Sequence, residues 1–166
     1  MGRRYILSGE NLTLGTGNVL AALRPAAAGS AGSIIEIERV EVSQNHNSAT
    51  AQVRLAHGSR DTGGTLTVTS ATPNPLVLGG PASGISGGTN ALTAATCGVN
   101  SSADSGGTYV ATHKINPNNQ GGFLWTATER DGKLLVVPAV VYVVYFLAAP
   151  GDTAGWTVSV FFHEYY

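Results

Sequence analysis

Between Pro138 and Pro150 the chain runs Ala139-Val-Val-Tyr-Val-Val-Tyr-Phe-Leu-Ala148, with no charge and no polar parity. Val141, Val143, Tyr145 and Leu147 share one phase; Val140, Tyr142, Val144, Phe146 and Ala148 share the other. Successive side chains of a strand point to opposite faces, so this stretch predicts a strand buried on both sides. One cover is the opposite sheet of a sandwich. The other is a further sheet, the chain's own long loop or another subunit.

Elsewhere the alternation is one-sided. In Ser33-Ile-Ile-Glu-Ile-Glu-Arg-Val-Glu-Val-Ser43 the apolar phase slips between Ile35/Ile37 and Val40/Val42, which predicts a bulge near Glu38-Arg39. Ala51, Val53 and Leu55 alternate with Gln52, Arg54 and Ala56, and the turn cluster Asn45-His-Asn-Ser48 before them predicts a hairpin. Leu66 and Val68 alternate with threonines over residues 65–69. Trp156, Val158, Val160 and Phe162 alternate with Thr157, Ser159, Phe161 and His163 in a closing strand, to which Ala149-Pro-Gly-Asp-Thr-Ala-Gly155 returns the chain. Shorter strands are predicted over 4–8, 11–14, 19–23, 92–99, 108–115, 123–128 and 134–137, with a tight Asp-Gly turn at 130–133. The sum is all-β: one antiparallel β-sandwich over residues 1–166, eight to ten short strands with long Gly/Ser/Thr-rich loops, a jelly roll being the expected arrangement.

Composition narrows the function classes. Charged residues are 11% of the chain and nearly cancel to a net charge of -1, so the basic footprint of a nucleic-acid binder is missing. From Thr62 to His113 the sole charge is Asp104, and the tract at 79–107 reads as a long Gly/Ser-rich loop region, either a disordered insertion or, in the preferred reading, a loop ordered against a neighbour. The apolar run at 134–149 is shorter than the ~20 residues of a spanning helix and contains Pro138, so no membrane span is expected. At the start, Met1-Gly-Arg-Arg-Tyr-Ile-Leu-Ser opens like a secretory signal, but Gly9-Glu-Asn11 ends its apolar part.

Chemistry is sparse. Gly84-Ile-Ser-Gly-Gly88 matches the nucleophile-elbow spacing, with Asp104 and His113 following in hydrolase order, but an elbow needs a strand before the serine and a helix after it. Cys97 is alone and reads as a buried small side chain. His46, His57, His113 and His163 lie one per segment without metal-ligand spacing. Glu36, Glu38 and Glu41 beside Arg39 read as a solvated, ion-paired strand edge. Neither a catalytic centre, a metal nor a cofactor is expected. Trp125, Trp156, Tyr142, Tyr145 and Phe162 fall in apolar strands and are expected in the core. Phe161 and Tyr165 take the phase opposite Trp156 and Phe162, so the end of the chain reads as a docking surface. The candidate interface with another chain is Val141, Val143, Tyr145, Phe161, Tyr165 and Tyr166.

The order of segments resembles the head decoration or capsid auxiliary proteins of tailed phages, which are small β-sandwich virion proteins. The resemblance lies in Arg39-Val-Glu-Val-Ser-Gln44, Thr72-Pro-Asn-Pro-Leu76, Pro81-Ala-Ser83 with the Gly/Thr-rich tract after it, Gly122-Phe-Leu-Trp125 through Glu129-Arg130, and a final hairpin ending Gly155-Trp-Thr-Val-Ser-Val160. Val77-Leu-Gly-Gly80 stands where acidic residues are expected. The resemblance implies a virion protein, made in the host cytoplasm and placed on the capsid exterior. Its partners would be the major capsid protein and itself, as a homo-oligomer with a trimer expected. Two rival expectations are a carbohydrate-binding module using Trp125 or the C-terminal tyrosines, and another self-assembling virion part such as a tail or fibre subunit.

Overall fold

A computed structural model describes residues 2–45, 53–115, 122–127 and 133–165. Among these residues there is no helix, and the strands number thirteen. They are β1 (Arg3–Leu12), β2 (Val19–Arg24), β3 (Ile34–Gln44), β4 (Leu55–Arg60), β5 (Thr65–Ser70), β6 (Asn74–Pro75), β7 (Ser86–Gly87), β8 (Thr96–Ser105), β9 (Tyr109–Ile115), β10 (Phe123–Thr126), β11 (Leu134–Val136), β12 (Val141–Phe146) and β13 (Trp156–Tyr165). Two sheets pack against each other as a β-sandwich. A front sheet runs β10-β3-β13-β1-β6, with β11 also on β3; a back sheet runs β5-β8-β2-β12-β4-β9, with β7 on β8. All pairings are antiparallel except β7 with β8.

Alternation sorts the main core. Tyr5, Leu7, Ile35, Ile37, Val40, Val42, Val158, Val160 and Phe162 of the front sheet meet Leu20, Leu23, Tyr142, Val144 and Phe146 of the back sheet. The phase slip in β3 is a bulge. Phe161 lies opposite Arg39 and Phe162 opposite Ile37, so Glu38 is the extra residue, and Ile37 and Val40 both stay inward.

The other phase of β12 enters a second cluster, with Val19, Ala22, Ala56, Leu66, Val68 and Ala91. Its cover belongs to the same chain. β8 pairs with β2 through Thr96–Val99 and then carries on along β5 as far as Ser105. Register shifts on either side of Val68 accompany the bend, and the β5–β8 ribbon curls over the outward side of β12. Val141, Val143 and Tyr145 are therefore 0%, 0% and 6% exposed in a single chain. This corrects their assignment to an interface between subunits: the chain's own charge-poor tract had already covered them.

Pairing differs from the sequence expectation in three places. β3 belongs to the front sheet and β4 to the back sheet, so they form no hairpin; β12 and β13 are divided in the same way. Consecutive strands cross between layers, which a two-residue period cannot report because it marks faces and not partners. β10 and β11 lie end to end along β3 instead of against each other, and the turn between them falls outside the described residues. Within the expected loop at 79–107, Ser101–Ser105 is strand. The strand count exceeds eight to ten partly because β6 and β7 have two residues each, too short to show any alternation.

Candidate interaction face and the centres behind it

The outward face of the front sheet carries most of the ionic contacts among the described residues. Across β3, β13 and β1, register sets Glu41 beside Ser159 and Ser8, Arg39 beside Phe161 and Ile6, and Glu36 beside His163 and Arg4. Arg4 pairs with Glu38, its Nε 3.1 Å from Oε2. His163 also reaches Glu38 at 3.3 Å, Arg39 reaches Glu41 at 3.3 Å, and Lys133 reaches Glu36 at 3.2 Å. Arg4, Arg39 and Lys133 answer the carboxylates of Glu38, Glu41 and Glu36, so the face has little net charge. The acidic cluster sits on the exposed side of an interior strand, not at the edge predicted from sequence.

Phe161 and Tyr165 lie within this face, half-buried by their neighbours. The Arg39 guanidinium stacks 3.8 Å from the Phe161 ring centre. The Tyr165 hydroxyl donates to Glu36 at 2.5 Å, and its ring stacks on His163 at 6.3 Å. Burial raises the Glu36 pKa, but the bonds from Tyr165 and Lys133 outweigh it, and the carboxyl is held below its ordinary value. Tyr166 lies outside the described residues. The six candidates are thus divided, with Phe161 and Tyr165 on this face and Val141, Val143 and Tyr145 in the back sheet.

Exposed apolar groups collect on the same sheet. Of eight large hydrophobic residues exposed among the described residues, Ile34, Leu124, Leu135 and Val137 lie on or beside β3, β10 and β11, and Leu76, Val77 and Leu78 follow β6 at the opposite edge. Only Val110 is elsewhere, on β9. Leu78 is 100% exposed.

Three buried polar centres were not legible as sites. Fully buried Arg60 ends β4 and closes the curl of the back sheet. Its Nε and Nη2 donate to Asp104 Oδ1 at 3.2 and 3.1 Å, Nη1 to the carbonyls of Asp61 and Gly63, and Nη2 to those of Thr65 and Ser105. The Tyr109 hydroxyl donates to Asp104 Oδ2. Asp104, the lone charge of a long neutral tract, was the signal that a counter-charge had to meet it. Glu164, also fully buried, accepts from the Ser83 hydroxyl and from the Gly84 amide at 2.9 Å, which ties the Gly/Pro loop to the end of β13. His57 is buried among Trp125, Tyr142 and His113. Its Nδ1 lies 3.1 Å from the Tyr142 hydroxyl, and Nε2 has no hydrogen-bond partner among the described residues.

The elbow-like motif brings no triad together. Ser86 pairs with Thr96 on β8, Asp104 is held by Arg60 and Tyr109, and His113 stacks on His57 at 6.0 Å. Cys97 is buried in the main core with its thiol directed at the carbonyls of Ala71 and Ser86, and burial, then the charge of Glu164, push its pKa up to about 12. A thiol so held is a poor nucleophile. No group of metal-ligating side chains forms among the described residues. Of the aromatic residues expected in the core, Trp156, Tyr142, Tyr145 and Phe162 are buried, and Trp125 packs half-buried against His57.

No protein-family model, no curated protein and no solved structure matches the chain.

Proposed function

We propose that this chain is a structural protein which associates with itself and with a capsid surface through the outward face of its front sheet. One observation carries the reading: Ile34, Leu124 and Leu135 on β3, β10 and β11 expose apolar side chains beside charges that neutralise one another. Such a surface matches the make-up of an interface, an apolar patch with satisfied polar groups around it. Each Leu or Val buried there contributes roughly 1.5 to 3 kcal/mol, so a few on each copy suffice to hold an oligomer. The capsid as the second partner, and a trimer as the form, come from the resemblance to phage decoration proteins.

The test is a pair of substitutions on the exposed edge, Leu124→Asp and Leu135→Asp together. Light scattering at micromolar concentration is expected to show an oligomer for the natural chain and a monomer for the variant, which should still melt cooperatively because both leucines are exposed on the single chain. Co-sedimentation with capsids is expected to fall in parallel. A natural chain that is monomeric and does not sediment with capsids would overturn the proposal.

A further inference from the structure

We propose that the mouth of the curled back sheet, beside Tyr109 and Tyr145, is a binding site for an acidic saccharide. A concavity of about 360 Å³ opens there, lined by Asn18, Asp104, Tyr109, Lys114, Tyr145 and Leu147 among others. That volume is at the lower end of ordinary ligand pockets, and the mouth of a curled sheet is one of the places where they form. It lies on the side of β12 away from the main core, so the front sheet and this pocket face opposite ways. Occupying one surface leaves the other open.

The lining selects the ligand. Tyr109, half-buried, packs its ring 4.5 Å from that of the buried Tyr145, and the part it leaves in solvent is an apolar surface for the C–H side of a pyranose. Asp104 remains available as an acceptor. Arg60 occupies Oδ1 and Tyr109 donates to Oδ2, but a carboxylate offers about four lone-pair sites, and this one keeps 15% of its side chain exposed. It asks for hydroxyl donors, and the amide of Asn18 can both give and accept. Because the charge of Asp104 is answered by Arg60, the ammonium of Lys114 leaves the pocket positive. A ring with one apolar face, several hydroxyls and a carboxylate meets all of these groups; a hexuronate is the simplest example.

NMR titration of the full chain with a galacturonate disaccharide tests the inference, with cellobiose as the neutral ligand of equal size and AMP as an anionic ring compound without a pyranose. Saturable shifts are expected at the amides of Tyr109, Ala111 and Leu147 with the acidic sugar. Lys114→Glu is expected to weaken that binding about tenfold, the value of one charge-assisted hydrogen bond. Leu147→Trp, which fills the mouth from its rim, is expected to abolish it. Lys114 is exposed and Leu147 half-buried at the rim of the second core, so both variants should keep a cooperative melt. The inference is overturned by no saturable shift at about 10 mM, ten times the ~1 mM dissociation constant of a weak ligand. Equal binding of cellobiose, preference for AMP, or a response untouched in Leu147→Trp would overturn it too. Because the site lies within one chain, the outcome is independent of the oligomer and capsid tests.

Discussion

His57 shows how one buried side chain makes a whole chain sensitive to acid. Burial first, and the charge of His113 second, hold its pKa down from 6.5 to about 4. The unfolded chain therefore takes a proton near pH 6.5 that the folded chain refuses until about pH 4. Stability is complete above pH 6.5 and is lost as pH falls through that window, by about 3 kcal/mol in all. Glu36 and Asp61, whose pKa values are also lowered, add losses only at more acidic pH, below their ordinary values. Thermal melts between pH 7.5 and 4.5 are expected to show the decline, and His57→Phe is expected to flatten it. At pH 7.5 the same variant should cost about 1 to 3 kcal/mol, because the Tyr142 hydroxyl loses its partner.

At the scale of elements, β12 decides between the two covers that its sequence left open. Val141→Asp and Val144→Asp place an unpaired carboxylate in the outer and the main cluster respectively, and both sites are closed within one chain. Both variants are expected to unfold, with loss of the cooperative melt by circular dichroism; a folded, dissociated Val141→Asp would contradict the closed ribbon. Strand identities and faces were legible because β-branched residues alternate in β3, β5 and β13 and crowd both phases of β12. Even the bulge at Glu38 showed as a phase slip. Partners were not legible, since β3 and β4, like β12 and β13, adjoin in sequence and lie in different sheets. The end of β4, His57-Gly-Ser-Arg60, was not legible because its burial rests on polar contacts with distant strands, which leaves no hydrophobic period behind. Of the candidate interface, Phe161 and Tyr165 were readable from phase alone, whereas the exposed leucines of β10 and β11 were hidden in strands too short to reveal a face.

Taken whole, the molecule has two unlike sides. The front sheet offers an apolar, self-neutralised surface, and the back sheet is rolled around a second core that opens at the Tyr109 and Tyr145 mouth. Beside the apolar contacts of that second core, a cation closes the roll, which sets it apart from the largely apolar burial that joins the two sheets. Arg60 joins β4 to Thr65, Asp104 and Ser105 of the ribbon, and Gly107 lies so near that an added Cβ would fall 2.1 Å from the guanidinium carbon. The order of opening follows from this. A guanidinium gives up its water only when every acceptor is in place, so the β5–β8 ribbon should be the last piece to lock during folding and the first to release. Hydrogen exchange is expected to give the amides of Leu66 and Val68 a lower opening free energy than those of Tyr142 to Phe146. Arg60→Met, which strands Asp104 and four carbonyls, should lower the first set by about 3 to 5 kcal/mol and leave the second set nearly still until the whole sandwich unfolds.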